Sequence, residues 1–163
     1  FPITEPMIEG PATRVMSLRD GTKKMSKSDA SDMSRINLSD DADTIALKFR
    51  KARTDADPLP ETYDELEERP EARNLIDIYA GLTGQSPDAV MTEVAGQGWG
   101  KFKPHLAEVA VETMAPITGE MNRLLDDLAE IDRILGEGAA RAREVAAPVL
   151  ARTYEIVGMI ATR

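Results

Sequence analysis

Leu106, Ala110, Thr113, Ile117, Met121, Leu124 and Leu128 recur at steps of three and four residues. Only a helix brings such a series onto one face, because a strand alternates its side chains every two residues. The stripe stays in phase across Pro116. A proline there removes one N–H and crowds the preceding turn. The pattern therefore predicts one long helix from near Lys101, kinked rather than divided. A second stripe, Ala142, Val145 or Ala146, Val149, Thr153, Ile156 and Ile160, predicts a last helix over about 139–161. Pro148 lies inside it, so a kink or break is expected near Glu144. Between the two, a short helix over 131–135 is expected, set apart by Gly136 and Gly138.

Shorter helices are expected upstream. One begins near Asp40, capped by Ser39 or Asp40, with Asp41 and Asp43 facing the positive dipole end. Ala42, Ile45, Ala46 and Phe49 form its apolar face, and Lys48, Arg50, Lys51 and Arg53 its basic end. Residues 54–68 are acidic, carry Pro58 and Pro60, and read as a linker with one short helix from Tyr63. Pro70 suits a first helical turn; Leu75, Ile76, Ile78, Tyr79 and Leu82 supply the buried side, and Gly84 the end. Ser86-Pro87 opens a short helix through Val94, which Gly96, Gly98 and Gly100 break. Trp99, in that glycine turn, is open to two readings, a recognition aromatic or, the commoner role, a staple that packs on the first turns of the long helix.

Before Asp40 the pattern changes. Residues 1–11 carry Pro2, Pro6, Gly10 and Pro11 and read as irregular, extended chain. Arg14–Leu18 is a short apolar strand in need of a sheet. Residues 19–34 are polar, with a turn signal at Asp20-Gly21. Phe1, in place of an initiating Met, reads as an internal cut in a longer protein, with the rest of the sheet upstream. The fold class is mainly α: a strand-and-loop prefix, then a bundle of four or five helices.

A chain of 163 residues suits one domain, or one domain plus part of another. No run of eighteen apolar residues occurs, so no membrane helix is expected. There is no cysteine, which excludes disulfides and thiolate metal sites and fits the cytoplasm. The net charge of −9 argues against a protein that coats nucleic acid uniformly. The charge is uneven, however. Residues 13–53 hold ten Lys or Arg against six Asp or Glu, a balance of +4, and the remainder carries −13.

The positive stretch contains Lys23-Lys24-Met25-Ser26-Lys27-Ser28, among Gly21, Thr22 and Asp29. Apart from Met25, no long apolar side chain anchors it. On residue chemistry alone this is either a solvated basic turn or a mobile loop that closes over a polyphosphate. In the second reading ammonium groups meet phosphate oxygens, and hydroxyl and backbone N–H groups add donors.

Lys24-Met25-Ser26-Lys27-Ser28 spells in full the KMSKS signature of class I aminoacyl-tRNA synthetases. The resemblance extends along the chain in the order of one branch, the bacterial-type tryptophanyl-tRNA synthetases. It is carried by Phe1-Pro2, Glu5-Pro6, Arg14–Leu18, Asn37–Ile45, Lys51–Asp55, Arg69–Ala72, Ile78–Leu82 and Gly100–Lys103. The chain thus resembles the C-terminal part of that family. The likeness implies that residues 1–35 are the edge of a Rossmann-type catalytic domain with its KMSKS loop. Residues 36–163 would be the helical domain that binds the tRNA anticodon.

The implied activity is ATP-dependent activation of tryptophan and its transfer to tRNA(Trp). The resemblance assigns Lys24 and Lys27 to the ATP phosphates as catalytic residues, Lys27 foremost in the transition state. Ser26 and Ser28 would donate to phosphate or hold the closed loop, Met25 would anchor the loop by packing, and the Val15 backbone would meet the adenine. Mg²⁺ would travel with ATP, held by phosphates and water, since no carboxylate pair has a convincing metal-site spacing. The implied partners are tRNA(Trp), ATP and tryptophan, with a cytoplasmic homodimer as the full-length state. Under this reading Lys48, Arg50, Lys51 and Arg53 either complement the helix dipole or touch tRNA. The other class I signature, His-x-Gly-His, cannot be built from a chain whose one histidine is His105. The fragment alone is therefore expected to be inactive. Two alternatives are a non-catalytic tRNA-binding or regulatory helical module and a tyrosine-specific relative.

Overall fold

The computed structural model describes residues 3–7 and 12–159. The expectations at Pro2, Gly10, Pro11 and Ile160 lie outside them. Two compact units are present, Phe1–Gly119 and Glu120–Arg163. The expected boundary at 35/36 falls inside the first.

The first unit opens with an antiparallel hairpin, β1 (Met16–Ser17) and β2 (Asp20–Lys24), with Met16 opposite Lys24 and Ser17 opposite Asp20. The expected strand over 14–18 is thus only two residues long. Its partner comes from the segment read as polar loop. That strand escaped notice because its buried position is Gly21, which carries no hydrophobic signal. A Cβ at Gly21 would lie 2.5–2.6 Å from the backbone of Pro70 and Glu71. Only glycine lets the hairpin lie this close to the helix beneath it.

A 3-10 turn at Asp32–Ser34 leads into α1 (Ala42–Lys51). The cap is Asp41, whose carboxylate accepts from Thr44 N at 2.8 Å, and not Ser39 or Asp40. Asp40 is engaged elsewhere: it accepts from the Asn37 N–H and the Lys48 ammonium. Ile45 and Phe49 are buried as expected, whereas Ala42 is exposed.

The linker over 54–68 is part of the core. Leu59 and Leu66 are buried, and Leu59 exchanges backbone hydrogen bonds with Gln97 and Gly96. Arg69 grips Asp55 through two nitrogens at 2.6 and 2.8 Å. The helix from Tyr63 is a single 3-10 turn, Asp64–Leu66.

Next come α2 (Pro70–Thr83), stopped by Gly84 at φ 72°, and α3 (Pro87–Val94), capped by Ser86. Then α4 runs Trp99–Leu125 through Pro104 and Pro116, so it starts two residues before Lys101 and includes Gly100. The Trp99 ring sits 6.1 Å from Phe102, nearly edge-on, which is the expected staple. Phe102, Leu106, Ala107 and Ala110 complete a core with Phe49, Ile76 and Val90.

The second unit contains α5 (Leu128–Val157), capped by Asp127 and ended by Gly158 at φ 70°. Here the sequence expectation is corrected. Leu128 begins this helix instead of ending the long stripe, and Gly136, Gly138 and Pro148 do not interrupt it. Two glycines cost about 2 kcal/mol against alanine. Arg133 offsets part of this by pairing with Glu130 and Glu137 at 2.6 Å, the latter across Gly136. No described residue of α5 is buried.

Candidate functional site

The lysine segment leaves the hairpin at Lys24 and returns through the 3-10 turn at Asp32. Each end is tied to buried structure. At the hairpin turn, Leu18 is buried; its N–H donates to the Ser34 carbonyl at 2.9 Å, and its carbonyl accepts from Arg53 N at 2.7 Å. Asn74, on α2 and 3% exposed, accepts from Met16 N at 2.8 Å and donates to the Met16 carbonyl at 3.0 Å. Residue 16 stands opposite Lys24 in the ladder.

Asp20 organises the second strand. It accepts from the Thr22 hydroxyl at 2.6 Å and pairs with Lys23 at 3.1 Å. The Thr22 hydrogen bond first, then the Lys23 contact, hold its carboxyl down at about 2. Lys23 is thereby paired within the hairpin, though its side chain is exposed, as are those of Lys24 and Lys27.

Met25 donates its N–H to the Val15 carbonyl at 3.0 Å, and its side chain packs on the core. Together with Val15, Ile36, Phe49, Ile78 and Leu82 it lines an apolar cavity of about 220 Å³. The Val15 carbonyl is therefore already engaged. Ser26 and Ser28 form a small turn of their own, with hydroxyl oxygens 3.0 Å apart and the Ser28 N–H on Ser26 Oγ at 3.3 Å. Lys27 lies between them.

The far end is held by Arg35 and Lys48. Arg35 donates to the carbonyls of Asp29 and Ser31 at 3.0 and 3.3 Å. Lys48 has no exposed surface, and its ammonium lies 2.7 Å from Asp32 and 2.6 Å from Asp40. Burial alone lowers the Lys48 pKa, but the bonds to Asp32 and Asp40 outweigh it and raise the value. The Lys48 bond first, then that from Asn37, lower the Asp32 carboxyl. This corrects the reading of Lys48 as a helix-end or RNA-facing cation: it is an internal tie.

The structure thus places Val15, just before β1, against Met25, sets Lys24 at the end of β2, and carries Met25, Ser26, Lys27 and Ser28 on the loop that follows. Sequence reasoning missed the residues behind them: Gly21, Asn74, Lys48 and Arg35. Two of these were detectable. Asn74 stands four residues before Ile78, and Lys48 three after Ile45, so each is a polar side chain in phase with an apolar face. His105, given no role, meets the Tyr79 hydroxyl at 2.9 Å.

A family model described as "tRNA synthetases class I (W and Y)" matches residues 1–115. The chain belongs to that family. Similar proteins include the tryptophan–tRNA ligase of Rhizobium meliloti, 58% identical over 98% of this chain and 45% of that protein. The tryptophan–tRNA ligase of Caulobacter vibrioides is 57% identical over 97% of this chain and 46% of that protein. The chain spans about half the length of the curated relatives it matches. Among solved structures, the tryptophanyl-tRNA synthetase of Mycoplasma pneumoniae shares the fold with a TM-score of 0.73 at 22% identity, over 93% of this chain and 47% of that one. The Campylobacter jejuni synthetase, complexed with ADP and tryptophan, aligns at 0.57 and 26% identity, over 90% and 44%.

Proposed function

We propose that this class I chain is the C-terminal part of a tryptophan–tRNA ligase. Residues 1–35 then form the edge of the catalytic domain, and residues 36–163 the helical domain for the tRNA anticodon. In the first step the tryptophan carboxylate oxygen bonds to the α-phosphorus of ATP. The bond to the β-phosphate oxygen breaks, and pyrophosphate leaves with the electron pair. Lys24 and Lys27 neutralise the charge that grows on the leaving group, which accelerates the step only as far as they meet it better in the transition state. Ser26 and Ser28 add hydroxyl donors once their mutual contact opens. Met25 roots the loop, and the Val15 backbone borders the adenine.

Among the described residues no group of three His, Asp or Glu is placed to hold an ion. We propose that Mg²⁺ travels with ATP, held by the phosphates and water. Among the described residues no helix is long and apolar enough to cross a membrane. The proposed setting is a cytoplasmic homodimer of the complete protein.

One observation carries this reading. In a chain of the class I family, exposed Lys24 ends β2 and exposed Lys27 follows on a turn that is held at one end by Met25 N on the Val15 carbonyl and at the other by Asp32 on the buried Lys48. That is the arrangement of a presented cationic loop rather than a solvated tail. The choice of tryptophan over tyrosine rests on the relatives at 57–58% identity.

The test is amino-acid-dependent ATP–pyrophosphate exchange by the complete protein. Exchange is expected with tryptophan and not with tyrosine. The 163 residues alone are expected to show none, since they hold one histidine and so no His-x-Gly-His motif. A complete protein that binds tRNA but exchanges with neither amino acid would be a non-catalytic module.

A further inference from the structure

We infer that Asn74 is a positioning residue for the lysine loop. This rests on the proposed activation chemistry. Asn74 is 58 residues from Met16 in sequence, yet its amide meets both backbone groups of that residue, as acceptor at 2.8 Å and donor at 3.0 Å. A third contact reaches the Ser17 carbonyl at 3.5 Å. A buried side-chain amide that bonds both groups of one residue in this way acts on β1 as a strand neighbour would. It also specifies register: after a slip of one residue the facing N–H and C=O would point to the opposite edge of the strand, leaving the buried amide without partners.

The consequence reaches the lysines in two steps. Met16 is the ladder partner of Lys24, and the adjacent Val15 carbonyl holds Met25 N. The platform under the amide is stiff, because Asn74 stands one turn into α2, whose first residues touch Gly21 closely. Asn74 therefore sets where the turn carrying Lys27 begins, without touching a substrate.

The test uses the complete protein. Asn74→Ala removes donor and acceptor. Asn74→Asp keeps the shape and the acceptor but faces a carboxylate with the Met16 carbonyl. Both variants are expected to lower kcat for tryptophan-dependent exchange by about 10- to 100-fold, with the tryptophan KM unchanged. Relative to wild type, Asn74→Asp recovers as pH falls, because the protonated introduced carboxyl again offers one acceptor and one donor. Asn74→Ala does not recover. A generally weakened fold would give neither the unchanged KM nor the pH-dependent rescue. If Asn74→Ala does not fold, the pH profile of Asn74→Asp carries the test.

Wild-type kcat in Asn74→Ala, or an Asn74→Asp deficit that is flat with pH, overturns the inference while the enzyme reading stands. Absence of exchange in the wild-type complete protein overturns both.

Discussion

Phe102 and Leu106, in the first turns of α4, have no exposed surface, whereas Val145 and Ile156 in α5 are each 74% exposed. Both helices repeat apolar residues on one face. The difference is what lies opposite. The α4 residues meet Phe49, Tyr79 and Val90 from other elements of the first unit, while α5 buries none of its described residues. Apolar periodicity specifies a helix and a face, but burial free energy arises only where a second surface removes water. The first unit should therefore carry the stability, and the second should tolerate change along the same kind of stripe.

The largest test of that contrast is Phe102→Ala. The emptied core site should destabilise by about 3–5 kcal/mol, read as a lowered urea midpoint with unchanged slope. A loss below 1 kcal/mol would mean that the first unit is not the cooperative core. Next is Lys27→Ala, which lies in the same unit but on its exposed loop. In the complete protein it should lower kcat for activation about a hundredfold, on the order of 3 kcal/mol, with little change in KM for ATP. Its melting temperature should match wild type, which separates presentation of a charge from packing.

Gly21→Ala should cost about 1–3 kcal/mol, because the new methyl must push against peptide backbone rather than a flexible side chain. Thermal unfolding reads it, and a neutral result would show that hairpin and α2 separate easily.

The tie between Lys48 and Asp32 should appear as pH dependence. The Asp32 pKa is lowered in the fold, so its contribution is present above the ordinary 3.8 and lost as pH falls through the depressed value. The Lys48 pKa is raised, so its contribution is present below 10.5 and lost as pH climbs through the raised value. Lys48→Met should flatten both limbs in unfolding curves taken across pH. Smallest of all is Val145→Ala, which should change stability by no more than about 0.5 kcal/mol. A larger loss in the same unfolding assay would reveal a covered α5.

Much of this was readable from residues alone. Helix-end chemistry located α2 and α3 through Pro70, Gly84 and Ser86, because caps are local and depend on few neighbours. The lysine loop was readable as a motif. The second strand was not, because its one buried position is a glycine whose role is a close approach to residues fifty positions away. The unbroken α5 is not legible from Gly136 and Gly138, because support such as the Arg133–Glu137 pair across Gly136 exists only once the helix has formed. The supports of the loop were missed for a shared reason. Asn74 and Lys48 are polar residues whose partners, Met16, Asp32 and Asp40, lie on separately read segments.

The Lys48 ammonium also has a chemical consequence. Amine acylation requires an unprotonated, accessible nitrogen, and this one is enclosed and bonded to two carboxylates. Lys24, at the end of β2, and Lys27, on the loop, are exposed and should label rapidly while Lys48 lags far behind. Modification at Lys48 then requires its tie to Asp32 and Asp40 to part, so the ratio of label at Lys48 to label at Lys27 becomes a clock for how often the far end of the loop lets go.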